Sequence, residues 1–318
     1  MKHLVIVFLG LLLLCSGALY PWGSATHFYI DEQLTMKSMG LKFNAGYGGM
    51  APDAFNYLFS SPYLENLYAA THYQFQPIWD KAGNRIAQAL AFGFITHNDA
   101  WGADYTAHHA GITQGTAEGY VIAKAQALLV LAPLPPELPL SQQQGMSLYH
   151  EFVETAVNVL MKRVDPRIGE KIAFAALRRN PQFPLLLVGA YAEEFAAYFG
   201  GPAEATQAIL AVEEEFRRIS VLMGQVLCQE EAVAVQLFAE QMADMADDFL
   251  GAPLPIPRET AVSLVTQLIH AAMDLCAPDF QQEIEATIGQ VALQMAAHGF
   301  IIADGDGRSA ERVSPAEK

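Results

Sequence analysis

The stretch Ala91–Ala110, AFGFITHNDAWGADYTAHHA, limits most strongly what this chain can become. It sets His97, Asp99, Asp104, His108 and His109 into an otherwise apolar run flanked by Gly93 and Gly102. Burying that many imidazoles and carboxylates without a counter-ion is costly. A metal ion is the natural partner, because neutral imidazole and carboxylate suit zinc. Asp104 and His108 stand four apart, so on a helix they share a face and can converge on one ion. A lone histidine would read as a satisfied core residue; a cluster of this density does not.

The chain can bury such a cluster. Of its 318 residues, 52% are hydrophobic and 16% charged, enough for one large domain or two ordinary ones. The formal net charge of −16 excludes a general electrostatic attraction to nucleic acid or anionic lipid. Affinity for an anionic group must therefore be local, and bound cations would supply it. Met1-Lys2-His3, the apolar run Leu4–Leu14 and the small residues Ser16-Gly17-Ala18 read as an export signal cleaved after Ala18. The expected location is periplasmic or secreted, with a lipoprotein anchored through Cys15 as the lesser alternative. No later stretch is long and apolar enough to span a bilayer. Cys228 and Cys276 remain, an even pair that reads equally as one disulfide or as two buried thiols.

Along the chain the signals are helical. Trp22-Gly-Ser-Ala-Thr-His27 opens the mature region, with Thr26 as the expected cap of a first helix. Gly46-Tyr-Gly-Gly49 reads as a turn leading to Pro52-Asp53, a helix opening with a first-turn carboxylate. Thr71-His72 precedes Pro77. Gly119–Leu131 is an apolar helix, and the proline-rich Ala132–Gly145 a loop. Ser147–Met161 is a helix with His150 and Glu154 four apart. Six of the nine histidines fall between residues 27 and 150. Residues 155–300 are rich in Ala, Leu, Glu, Gln and Met. Breaks fall at Asn180-Pro181, Gly200-Gly201-Pro202, Gly251–Pro257 and Ala277-Pro278. Glu213-Glu214-Glu215 reads there as a solvated face, and no chemistry is evident. Strand signals are few, so the expected fold is all-α. The expected organisation is a signal at 1–18, a metal-binding helical region at 19–165, a helical extension at 166–302 packed on it, and a disordered polar tail at 303–318.

The ordered set Trp22…His27, Pro52-Asp53, Thr71-His72, His97, Asp104-x-x-x-His108 and His150-x-x-x-Glu154 resembles the zinc-dependent phospholipase C family. That family includes the bacterial enzymes and the amino-terminal domain of glycosylphosphatidylinositol-specific phospholipase D, and its fold is related to the S1/P1 nucleases. The likeness covers about residues 22–155. It implies an all-α bundle with metals in a cleft, and two or three zinc ions. Asp53, His72, His97 and Asp104 would hold one; His108, His150 and Glu154 a second; Trp22 through its backbone, His27 and a shared Asp104 a third. It also implies hydrolysis of a phospholipid phosphodiester, with Asp53 able to orient or deprotonate the attacking water.

The sequence departs from the family at two points. His97 and Asp104 are seven apart where the family usually spaces them four, which is about 10 Å along an ideal helix axis. A bulge at Ala100–Gly102 would repair this. Asp99 is then expected to point into solvent. Trp22 follows Pro21 rather than standing at the mature terminus, so only its carbonyl would be on offer after cleavage at Ala18. The alternatives to a phospholipase are a nuclease of the S1/P1 type and a protein whose metals only staple the fold. Five Lys and Arg against eleven Asp and Glu in residues 22–154 speak against a stable nucleic-acid partner.

Overall fold

The computed structural model describes residues 22–35, 38–57, 61–113, 115, 117–136, 138, 140–250 and 255–302, with the side chains at 245 and 247–250 excepted. The expected signal, Cys15 and the polar tail 303–318 lie outside the described residues.

Among the described residues every regular element is a helix. They run α1 (Ser24–Leu34), α2 (Met39–Met50), a 3₁₀ helix (Ala51–Tyr57), α3 (Leu64–His72), α4 (Gln76–Lys81), α5 (Arg85–His97) and α6 (Ala103–His108). Then come α7 (Tyr120–Leu131), α8 (Gln142–Val164), α9 (Ile168–Arg178), α10 (Phe183–Phe199), α11 (Pro202–Leu227), α12 (Glu231–Leu250), α13 (Arg258–Cys276) and α14 (Phe280–Ala297). The expected all-α class is what the chain adopts. The breaks after α9, α10 and α13 fall at the prolines and glycines that announced them. The break between α11 and α12 has neither proline nor glycine and no such signal.

The pair that positions the site is α2 and α5. Gly46–Gly49 is not a turn, as the sequence suggested, but the last turn and a half of α2. Its glycines serve close approach. A Cβ at Gly48 would stand 2.1 Å from the Leu90 carbonyl oxygen, and one at Gly93 would stand 1.9 Å from the Ala45 carbonyl oxygen. The two backbones therefore touch with no side chain between them, which only glycine permits. This contact carries the Gly49 carbonyl to within 2.7 Å of His97 Nδ1.

Helix α1 lies against α2 and takes its start from elsewhere in the chain. Thr26 sits inside the helix rather than at its cap; the capping residue is Gly23. The Ala25 N–H finds its acceptor in Asn158 Oδ1 of α8, at 2.9 Å. The side chain of Asn158 can reach because Gly23 leaves no Cβ in its way. A cap from a distant helix costs about as much to lose as a local one, about 1 kcal/mol, but no local sequence pattern announces it.

One hydrophobic core runs from Trp22 to Ile302 and takes in side chains from both the 22–165 part and the helices beyond it. Helix α11 packs on the 3₁₀ helix, α9 on α2, α13 on α8, and α14 on α1 and α6. Glu213 of α11 is wholly buried, contrary to the reading of 213–215 as a solvated face. It accepts from Tyr47 Oη of α2 at 2.9 Å and pairs with Arg179 at 2.6 Å. Glu214 and Glu215 stay at the surface with Arg217 and Arg218. Cys228 is exposed, Cys276 is buried and both are free, so the disulfide alternative falls. No single helix among the described residues is long and apolar enough to cross a membrane.

The glycine contact gives a paired prediction. Gly93→Ala should destabilise by about 1–3 kcal/mol or more, because the added methyl meets backbone rather than a movable side chain. Gly145→Ala, in α8 with nothing within 4 Å, should stabilise by about 0.5–1 kcal/mol. Chemical denaturation of both variants measures the contrast.

Candidate metal centre

The spacing of seven between His97 and Asp104 is resolved by ending one helix and starting another, not by a bulge. Helix α5 stops at His97, and Asn98 leaves helical geometry with ψ at 153°. Its Oδ1 accepts from the N–H groups of Ala100, Trp101 and Gly102 at 2.9, 2.9 and 3.2 Å. This Asx turn folds the chain back on itself. Gly102 is held against the carbonyls of Thr96 and Asn98, each of which a Cβ there would meet at 2.5 Å. Helix α6 then begins, and Asp104 Oδ2 returns to 2.9 Å from His97 Nε2.

Around this contact the ligand candidates converge. His97 Nε2 and His72 Nε2 are 3.1 Å apart. Asp53 Oδ1 lies 3.6 Å from the former and 3.7 Å from the latter, and Asp104 Oδ2 lies 3.7 Å from His72 Nε2. His27 Nε2, one turn into α1, faces the other oxygen of Asp104 at 3.1 Å, and its ring stacks on that of His97. A second group adjoins: His150 Nε2 is 3.3 Å from Glu154 Oε1, and the ring of His108 is 5.3 Å from that of His150. The donor atoms of His108, His150 and Glu154 all lie within 4.8 Å of one another, as do those of His72, His97 and Asp104. Trp22 is buried with its indole N–H on Thr106, and its backbone hydrogen-bonds to the His27 ring. It touches the cluster through His27.

The chemistry of these atoms calls for a cation. His97 Nδ1 is held by the Gly49 carbonyl and His72 Nδ1 by the Tyr68 carbonyl. A carbonyl only accepts, so each Nδ1 carries the proton and each Nε2 is left with a lone pair. Two lone-pair nitrogens then face Asp53, whose Oδ1 accepts from the Asn56 side chain, and Asp104, whose oxygens have no hydrogen-bond partner. His27 Nε2, both oxygens of Asp104, His150 Nε2 and Glu154 Oε1 are all buried without a hydrogen-bond partner. Such atoms are costly unless something electropositive lies between them. The two groups are therefore compatible with holding metal ions.

Burial shapes the titration of the centre. It holds His27, His72 and His150 well below the ordinary histidine range, and the neighbouring imidazoles add to this. It pushes Asp104 and Glu154 well above the carboxylate range, and Asp53 up to about 6. Glu151, which the sequence reading passed over between His150 and Glu154, is also pushed up by burial, to about 8. Its Oε1 is buried and unpartnered too.

Asp99 corrects the expectation that it faces solvent. Only 4% exposed, it accepts from Tyr68 Oη at 3.2 Å, Tyr73 Oη, His108 Nδ1 at 3.2 Å and His109 Nε2 at 3.1 Å. Burial alone would raise it, but the hydrogen bonds from His108, Tyr73 and His109 hold it well below the usual range. Donor atoms of Asp99, His108 and His109 also lie within reach of one another. Here, however, both carboxylate oxygens already receive donors, so this trio lacks the unmet acceptors of the other two groups.

Helix α14, from the region that showed no chemistry in sequence, splints the segment that carries the candidate ligands at three places. His298, just past its end, stacks on Trp101, with ring centroids 4.9 Å apart. Thr287 Oγ1 is 2.9 Å from Thr106 Oγ1. Glu283 accepts from the N–H groups of Ile112 and Thr113 at 2.6 and 2.7 Å. Thr106 sits at the centre of this brace: it receives Trp22 Nε1 at 3.1 Å and donates to the Ala103 carbonyl at 2.8 Å. These partners lie 170 residues or more from the segment they hold, and no spacing in the sequence links them.

No family model, no curated protein and no solved structure matches this chain.

Two predictions follow from the geometry. In the metal-free fold burial keeps His27, His72, His97 and His150 below the ordinary histidine range, so the protons a metal must displace at these positions sit on the carboxyls. Metal binding should release protons at pH 7 from Asp104 and Glu154, and more as pH falls through about 6 and Asp53 gains its proton. Affinity should fall in the same direction. Calorimetry in buffers of different ionisation enthalpy reads both. Glu283→Ala should weaken metal binding by roughly 10-fold through the loop after His108, while far-ultraviolet circular dichroism stays that of the parent.

Proposed function

We propose that this protein is an exported zinc-dependent phosphodiesterase of the phospholipase C type, with two or three zinc ions in the centre formed by α1, the 3₁₀ helix, α3, α5, α6 and α8. The observation that carries the reading is the ligand set itself. The histidines and carboxylates that the family resemblance picks out fall into two adjoining groups, and their unpartnered atoms face inward. The all-α fold agrees with the bundle the resemblance implies.

Bound zinc would polarise the phosphoryl oxygens of a phosphodiester, favour ionisation of a water and balance charge on the leaving oxygen. The chain's own residues supply the rest. Asp104 presents Oδ2 to His97 and Oδ1 to His27, so its carboxylate is shared between two positions. The carbonyls of Gly49 and Tyr68 keep the Nε2 lone pairs of His97 and His72 aimed inward. Asp53 is fixed by the Asn56 side chain, which donates to Oδ1 at 2.9 Å. With 14% of its side chain exposed, it is more open than Asp104, and it is the group placed to orient a water or accept its proton. The acidic balance of residues 22–154 favours a lipid phosphodiester over a nucleic-acid chain.

The depth of the centre keeps a second reading, in which the metals only staple the fold. His72, His97 and Asp104 are all wholly buried, as ligands of a closed structural site would be.

Assays decide between the readings. The mature protein should contain two or three zinc ions and cleave phosphatidylcholine, lose activity to a chelator and recover it with zinc. Cleavage of single-stranded DNA instead would favour a nuclease. Full zinc with neither activity would favour the staple. Asp104→Asn should lose more than one zinc equivalent and at least roughly 10³-fold in hydrolysis, since residues acting as a unit fail together. Retention of all zinc would remove Asp104 from the bridging position.

A further inference from the structure

We propose that Asp99 is the positioning residue of the second metal position, fixing the tautomer and orientation of His108 for an ion shared with His150 and Glu154. The inference rests on the metal reading above and assigns a role to a residue outside its ligand set.

The geometry is that of a hub. Asp99 lies in the turn between α5 and α6, and its own N–H donates to the His72 carbonyl at 3.1 Å. The turn is thus tied to the helix that carries a ligand of the first group. Oδ2 takes Tyr68 Oη, Tyr73 Oη and His109 Nε2, which leaves Oδ1 to the Nδ1 of His108. A carboxylate offers only acceptors here, so His108 Nδ1 carries the proton. A neutral imidazole has one N–H, so Nε2 keeps the lone pair that coordination requires. Without the carboxylate the ring can place its proton on Nε2, where it blocks an ion. Carboxylate–histidine pairs behind a metal commonly act in this way, and losing the carboxylate costs about 10–100-fold in metal affinity.

The alternative that Asp99, His108 and His109 hold an ion of their own is disfavoured on the same geometry. It would take the Nδ1 of His108 away from Asp99 and displace donors from oxygens that already have them.

The test uses the mature full-length protein with Asp99→Asn, which keeps the shape and one acceptor, and Asp99→Ala. Nitrogen-15 spectra of the metal-free protein report the His108 tautomer. Zinc titration against a competing chelator reports each equivalent separately. The wild type should show the proton on Nδ1, and Asp99→Ala should move it at least partly to Nε2. One zinc equivalent should weaken by about 10-fold in Asp99→Asn and up to about 100-fold in Asp99→Ala, with the others changed less than about 2-fold. A wild-type proton on Nε2 overturns the proposal without any variant having to fold. Zinc held equally tightly by wild type and both variants overturns it while leaving the metal reading intact. A uniform weakening of all equivalents, as a merely structural role would give, also overturns it. A wild type that binds no zinc removes the metal reading and this inference together.

Discussion

The interaction on which the rest depends is a set of buried acceptors aimed at one another. His27, His72, His97, Asp53 and Asp104 bring nitrogens and carboxylate oxygens to within 2.9–3.7 Å, and neither oxygen of Asp104 nor His27 Nε2 has a hydrogen-bond partner there. In a low-dielectric interior that arrangement is unfavourable unless a carboxyl proton or a metal ion lies at its centre. The surrounding structure works to maintain it. Backbone carbonyls hold the outer nitrogens of His72 and His97, so the rings cannot turn their N–H groups inward to relieve the conflict. A core built only for stability would pair these groups or omit them.

The scaffold bears the cost through rigid contacts. Helices α2 and α5 meet backbone to backbone at Gly48 and Gly93, which fixes His97 relative to Gly49. The Asx turn at Asn98 reverses the chain so that Asp104 can return to His97. Helix α14 then grips the same segment at Trp101, Thr106 and the Ile112–Thr113 backbone. The buried Tyr47–Glu213–Arg179 network ties α2 to α9 and α11 on the far side. Such a buried ionic contact is weak evidence for stability but specifies which helices meet. The helices beyond residue 165 are thus part of the support of the centre rather than an appendage to it.

Two shells of different chemistry emerge around the candidate metal centre. The inner atoms are left without partners, whereas Asp99 and Glu283 are surrounded by donors. The difference separates groups whose acceptors are unmet, compatible with an ion, from groups whose acceptors are already met. It also explains why Asp99 stays ionised while Asp104 and Glu154 are pushed towards their protonated forms in the metal-free fold. Burial acts on all three, but only Asp99 receives hydrogen bonds that stabilise its charge.

The sequence by itself determined the helical class, the breaks at Asn180-Pro181, Gly200-Gly201-Pro202 and Ala277-Pro278, and the candidate ligands. Those follow from local propensity, from proline and glycine breaks, and from the concentration of histidine and carboxylate in an apolar chain. It placed the start of α8 at Ser147, whereas Ser141 caps a helix that begins at Gln142. It misread Gly46–Gly49 as a turn, because glycine signals a turn unless the partner helix that needs its bareness is known. It misread Glu213 and Asp99 as solvated, because a carboxylate declares its burial only through partners such as Arg179, Tyr68 and His108. The cap that Asn158 gives α1 and the grip of Glu283 on Ile112 join residues more than a hundred positions apart. Only the tertiary structure decided these, since hydrogen bonds across the fold leave no periodic trace along the chain.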